Sequence, residues 1–251
     1  MLKVRVMPTL LFKDLTLVKG IRFDSWRRVG SVMQAVKVYN MREVDELVFL
    51  DIAATQEGRE PDFQLVDEIA DECFMPLTVG GGVRSVEHVR RLLRVGADKV
   101  AINTAAIEDP DLVTAVAGEF GSQCIVVAID ASRENGGYEV RTCSGTRPTG
   151  LAPVAVAREA QRRGAGEILV TSIDRDGTFQ GYDLELTRLI VDAVTIPVIA
   201  SGGAGTYEHM GEAIVSAGAS AVAAASMFHF TEQTPREAKL HLRSRGIPVR
   251  L

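Results

Sequence analysis

Eight short apolar runs, most of them rich in valine and isoleucine, recur along the chain, and this recurrence most restricts its fold. They are VRVM at Val4–Met7, ELVFLDI from Glu46, PLTV from Pro76, KVAI from Lys99, CIVVAID from Cys124, EILVTSI from Glu167, IPVIAS from Ile196 and AVAAAS from Ala221. Apolar runs without polar alternation suit parallel strands covered on both faces. The segments between them carry helical spacing, as in Phe63, Val66 and Ile69, or Leu186, Leu189, Ile190 and Ala193. Pro110, Pro153 and Pro235 stand near the expected helix starts, and Gly96, Gly121, Gly164 and Gly218 follow the expected ends. Eight strands alternating with eight helices in 251 residues predict one (β/α)8 barrel domain over residues 1–251. A doubly wound sheet is the competitor, but it would use fewer strands, and no GxGxxG follows the first strand.

An internal echo accompanies this alternation. The glycines at Gly80–Gly82 recur at Ser201–Gly205, 201 − 80 = 121 positions later, and the LDI ending at Ile52 recurs as the SID ending at Asp174. That period is too long for a solenoid repeat of roughly 20–50 residues. It suggests two half-barrels, about 1–120 and 121–251.

Several function classes are excluded early. A formal net charge of −5 argues against non-specific nucleic-acid binding, which needs a basic face. No apolar run approaches the roughly 18–20 residues of a membrane span, and MLKVRVMP lacks the apolar centre of a signal peptide. Cys73, Cys124 and Cys143 are odd in number and show no CxxC spacing, so a cytoplasmic, disulfide-free protein without a membrane or nucleic-acid partner is expected. The four histidines form no metal-ligand cluster, no serine sits in GxSxG, and neither metal nor cofactor is expected.

Glycine-rich turns follow the third and seventh strands, VGGGVRS with Gly81 and Gly82, and ASGGAGT with Gly202 and Gly203. Each precedes a helix, where bare amides can surround an anion. Asn103, Thr104 and Ser226 open comparable turns after the fourth and eighth strands. Tight βα turns explain either glycine loop alone, but two in symmetric positions point to a small substrate phosphorylated at both ends. Asp51, Asp130, Asp174 and Asp176 end strands at the mouth, where an acid can move protons, although helix caps and loop ion pairs also use such residues. Asp130 stands out because it closes the unbroken run IVVAI. Lys19 could meet a phosphate, and Asp176-Gly177 could offer it backbone amides. At the strand starts, Arg5, Glu46, Lys99 and Glu167 place two charges of each sign on the barrel floor, enough for a stabilising salt-bridge plug.

These residues bring a family into view. DELVFLDI, LTVGGGVRS, GADKVAINTAA, GSQCIVVAIDA, GAGEILVTSIDRDGT, IPVIASGGAG, SMFHF and RGIPVRL, spread over essentially the whole chain, resemble the cyclase (HisF) subunit of imidazole glycerol phosphate synthase. The resemblance implies a (β/α)8 barrel that receives ammonia from a class I glutaminase, bound 1:1 beneath it, and passes it to a bis-phosphorylated substrate above. It makes Arg5, Glu46, Lys99 and Glu167 an ammonia gate and puts Asp98 at the glutaminase contact. It assigns Gly81, Gly82, Asn103, Thr104, Asp176, Gly177, Gly202, Gly203, Ala225 and Ser226 to two phosphate sites, and makes Asp130 one of two catalytic aspartates.

The other aspartate is missing. The family's first strand ends in a segment like CLDVKDG, whereas this chain reads PTLLFKDLTLVKG, with Leu11 at the catalytic position and Asp14 three residues on. Leucine cannot shuttle a proton. The first loop carries GSV where the cyclase family has GDP, and the first strand and the stretch from AVKVYN to DECFMPL resemble HisF-like paralogues that accompany sugar amidination. Three readings follow: a divergent ammonia-conducting subunit, a histidine-pathway cyclase using Asp130 with Asp14 or Asp51, and a non-catalytic glutaminase-activating scaffold.

Overall fold

The computed structural model describes residues 3–42 and 44–251, so Met1, Leu2 and Glu43 of the expected domain lie outside the described residues. The eight apolar runs become eight parallel strands, β1 (Arg5–Lys13), β2 (Leu47–Asp51), β3 (Leu77–Gly80), β4 (Lys99–Ile102), β5 (Ile125–Glu134), β6 (Glu167–Ser172), β7 (Val198–Ser201) and β8 (Ala221–Ala224). Each pairs with its neighbours in chain order. β1 closes the ring by aligning Arg5–Pro8 with Ala221–Ala224 of β8, and Thr9–Phe12 with Val48–Asp51 of β2. The fold is a single closed (β/α)8 barrel, as the alternation predicts.

Eight helices cover the outside: α1 (Val32–Met41), α2 (Phe63–Glu72), α3 (Val86–Arg94), α4 (Asp111–Phe120), α5 (Pro153–Arg163), α6 (Leu184–Val191), α7 (Tyr207–Val215) and α8 (Pro235–Ser244). Their starts are fixed by side chains that take up otherwise unpaired amides: Asp62, Ser85, Asp183, Thr206 and Thr234 each accept one from three residues ahead. None of the described helices is long and apolar enough to cross a membrane.

Two apolar cores result. One lies between sheet and helices. The other fills the barrel with Met7, Val48, Val126, Leu169 and Ile199, spaced by Ala101, Ala128, Ala221 and Ala223. The alanines make this inner core slimmer than the large branched side chains that usually fill such barrels.

The two halves repeat the same devices. A hairpin follows β1 (Thr16–Ile21 and Asp24–Gly30) and another follows β5 (Gly137–Thr142, with Arg147–Pro148). Short helices, Thr104–Glu108 and Ser226–Phe230, follow β4 and β8. His88 and His209, 121 positions apart in sequence, each accept backbone amides at the start of α3 or α7 through Nδ1. The segment after β1, read from sequence as a loop, is therefore paired strand.

Candidate active site

The glycine turns end β3 and β7 at the same mouth of the barrel. Gly81 and Gly82 adopt φ of 108° and 71°, Gly202 and Gly203 φ of 88° and 107°. Side chains are excluded there by contact as well as by conformation. A Cβ on Gly203 would stand 2.1 Å from the Gly181 carbonyl oxygen, and one on Gly81 2.2 Å from that of Asp51. Tight βα packing therefore explains the glycines, and it also leaves bare backbone facing the mouth. Gly203→Ala should cost about 2 kcal/mol or more in urea denaturation, through steric clash and backbone strain. A stability within 0.5 kcal/mol of the parent, a shift on the order of an ordinary surface change, would show that the turn can relax.

Two cavities open at this mouth. One, of about 100 Å³, collects Leu11, Lys19, Asp176, Gly177, Gly202, Gly203, Ala225 and Ser226. The other, of about 270 Å³, collects Gly81, Gly82, Asn103 and Thr104, with Arg84 and Arg147 at its rim. Asp130, Leu50, Ile52, Ser144, Leu169 and Thr171 line both. All the residues expected at the two phosphate loops thus converge, and Asp130 sits where the cavities join.

Asp130 is held in place there. Its Oδ2 accepts a 2.9 Å hydrogen bond from Asn103 Nδ2, and its strand pairs it with Thr171. Burial, and then the charge of Asp176, push its carboxyl up to about 7, against the opposing hydrogen bonds of Thr171 and Asn103. A carboxyl that titrates near neutrality can both accept and deliver a proton. Asp176→Asn should lower that midpoint, followed by carbon-13 NMR of the side-chain carboxyl across pH 4–9. An unchanged midpoint would remove Asp176 from the account of Asp130.

The other carboxylates divide sharply. Asp51 is buried and spends Oδ1 on the amides of Ala53 and Ala54, both at 3.0 Å, and Oδ2 on Arg59 at 3.1 Å. Asp174 accepts the Arg133 amide at 2.7 Å, outside both cavities. Asp14 is exposed in the turn between β1 and the first hairpin strand, with φ of 50°. Asp14 lies outside both cavities, Asp51 lines the larger one with its oxygens already engaged, and Leu11 faces the first cavity as bare hydrocarbon.

One expectation needs correcting. The Asp176 amide was expected to offer itself to a phosphate, but it is already bonded to the carbonyls of Ser172 at 3.0 Å and Ile173 at 3.2 Å. What Asp176 contributes is its carboxylate, 2.6 Å from the buried Lys19 ammonium. Burial holds this carboxyl above its ordinary value although Lys19 pulls the other way. Together with the Arg22 amide, which donates to the Asp176 carbonyl at 2.8 Å, this pair fastens the first hairpin to the loop after β6. Phe23 and Trp26 of that hairpin, and Ser144 of the second, enter the lining as residues that the motifs did not indicate.

The opposite end is closed by charge. Glu46 Oε2 lies 2.6 Å from Arg5 and 2.9 Å from Lys99, while Glu167 Oε1 lies 3.1 Å from Arg5 and 3.2 Å from Lys99. The four form one unbroken ring, and Thr78 donates to the remaining Glu46 oxygen at 2.6 Å. Burial opposes the charge on Arg5, but Glu167 and Glu46 outweigh it and hold the guanidinium protonated. Exposed Asp98 sits on the rim of this floor and accepts the Leu77 amide at 2.8 Å.

With both ends described, the chain can be set beside known proteins. The sequence model of the histidine biosynthesis proteins matches residues 5–234. The chain belongs to the histidine biosynthesis protein family. That family includes isomerases and cyclases, and membership supports a histidine-biosynthesis type of function for this (β/α)8 barrel. The matched span contains every mouth and floor residue named above.

Proposed function

We propose that this member of the histidine biosynthesis family is the synthase subunit of a two-component glutamine amidotransferase. A class I glutaminase docks 1:1 on the floor around Asp98 and releases ammonia at the Arg5–Glu46–Lys99–Glu167 ring. The ammonia crosses the barrel to an acceptor whose two phosphates occupy the two cavities. One observation carries this reading: both cavities meet at Asp130, a carboxyl poised near neutrality, directly along the barrel from a closed ring of four charges.

The barrel interior supports passage of a small polar molecule. Its inner core is thinned by alanines, and two buried oxygens, Glu167 Oε2 at the floor and Thr9 Oγ1 below the mouth, have no hydrogen-bond partner among the described residues. Such atoms can offer hydrogen bonds to ammonia in transit. The chemistry at the mouth differs from the cyclase pattern, because Leu11 leaves Asp130 without a second acid across the site. The chain is therefore a divergent subunit, and a pure scaffold would have no use for paired cavities around a titrating carboxyl.

Co-expression with a cognate class I glutaminase tests the reading. The expected result is a 1:1 complex with glutaminase activity raised at least about tenfold over the free glutaminase, on the order of 1.4 kcal/mol of activation free energy. Two separate monomers with unchanged glutaminase activity would overturn it.

A further inference from the structure

The helices capped by side chains are of two kinds. α2, α6 and α8 bring a carboxylate into the cap, through Asp62 and Asp183 at the helix boundary and through Glu237, which accepts the Thr234 amide at 3.2 Å. At α3 and α7, the helices that follow the two glycine turns, the corresponding positions are uncharged. Ser85 and Thr206 supply hydroxyls, and His88 and His209 stand three residues on, where such caps ordinarily carry Glu or Gln. His88 Nδ1 accepts the Arg84 amide at 3.3 Å, and His209 Nδ1 accepts those of Gly205 and Thr206, both at 3.3 Å. A ring nitrogen that accepts has no proton of its own, so each ring caps in its uncharged form.

Both rings also touch the structure that backs the glycines. His209 packs against Gly181, where an added Cβ would stand 3.2 Å from its Cδ2, and the Gly181 amide donates to the Gly203 carbonyl at 2.8 Å. His88 is buried, meets the Phe63 ring edge-on at 6.1 Å between centres, and places Nε2 3.6 Å from a Glu60 carboxylate oxygen. The Glu60 backbone packs in turn on Gly82, where a Cβ would stand 3.2 Å from the Glu60 carbonyl carbon. Three carboxylates lie near these helix starts: Glu60, Glu87 paired with Arg90, and Glu208 taking up its own amide. All three are exposed and outside both cavities, where water screens them.

A carboxylate at a helix N-terminus stabilises the helix by answering its partial positive charge, and so competes with any anion bound there. We infer that His88 and His209 are positioning residues that hold the two phosphate turns in shape without setting a negative charge beside the bound phosphates. This rests on the phosphate reading above, and names the groups that shape its two turns. Glutamate at either position keeps the cap and lowers anion affinity, whereas glutamine keeps both.

The nitrogen-15-labelled full-length protein is titrated with inorganic phosphate, with the amide resonances of Gly82 and Gly203 reporting the two sites separately. His209→Glu should weaken the binding seen at Gly203 about fivefold and leave that at Gly82 unchanged, and His88→Glu should do the reverse. His209→Gln and His88→Gln should bind phosphate within about twofold of the parent, and every variant should keep the parent's stability in urea because the cap is kept. A glutamate variant that binds like the parent, one that also loses stability, or a glutamine variant that weakens binding equally overturns the inference while leaving the phosphate sites standing. So does a loss at both sites from either single substitution, which marks a general disturbance of the fold. Absence of any phosphate-dependent shift at both glycines of the parent overturns the phosphate reading and the role of the histidines with it.

Discussion

Asp130→Asn should abolish ammonia-dependent chemistry on the acceptor, lowering turnover by ~10²–10⁴, while making the folded protein more stable at neutral pH. The two effects have one cause. Burial and Asp176 raise the folded-state carboxyl from 3.8 to about 7, so between these values the native protein holds a proton that the unfolded chain has released. Stability then falls as pH rises from about 4 to about 7, since the native state binds more protons there. Asparagine carries no such linkage. Urea denaturation across pH 4–8 should show the parent losing stability through this window while the variant stays flatter and ends above it. A variant that is less stable than the parent at pH 8 would mean that Asp130 holds the fold rather than stores reactivity.

Glu46→Ala should be the most damaging change at the other end of the barrel. The Glu46 side chain is 2% exposed and accepts from Arg5, Lys99 and Thr78, so its loss strands two cations at the barrel floor with only Glu167 between them. Removing one member of a buried ion pair typically costs ~3–5 kcal/mol, largely because the partner charge is left uncompensated. Arg5 and Lys99 retain some solvent contact, which puts the expectation at about 3 kcal/mol in urea denaturation. In the glutaminase complex the same variant should release ammonia into bulk solution instead of delivering it upward. A loss of stability with delivery intact would make the ring a plug and nothing more.

The fold was legible because its strands announce themselves. Unbroken runs such as IVVAI and KVAI can be buried on both faces, and all eight form the barrel. The glycine turns at the mouth were legible for a related reason, since the pairs Gly81-Gly82 and Gly202-Gly203 mark positions where positive φ and close backbone contact exclude a side chain. The two roofing hairpins were harder to see. Asn135-Gly136 is an ordinary hairpin turn signal and could have disclosed the second. The first is entered from β1 through Asp14-Leu15 and turns on Arg22-Phe23, all at positive φ, and neither of these residue pairs gives warning of a turn. Asp176 was misread because sequence shows which residue ends a strand but not where its amide goes. Likewise, Asp51 and Asp130 look equivalent as strand-ending carboxylates. Only the three-dimensional partners separate Asp51, spent on two amides and Arg59, from Asp130, whose carboxyl is pushed up to about 7.

Leu11 is where the chain departs most clearly from the cyclase pattern, and it gives the decisive measurement. The 130 − 11 = 119 positions between Asp130 and Leu11 are close to the 121-residue repeat, so Leu11 stands at the half-barrel counterpart of Asp130 and carries no carboxylate. The measurement is turnover of the bis-phosphorylated histidine-pathway intermediate under saturating ammonium, for the unmodified chain and for Leu11→Asp, with binding of the intermediate confirmed for both. The account predicts that the unmodified chain runs roughly a hundredfold or more below Leu11→Asp, the loss expected when one general acid–base partner is missing. Equal and rapid turnover by the two proteins would contradict it, and would make the chain a cyclase that works without a carboxylate at this position.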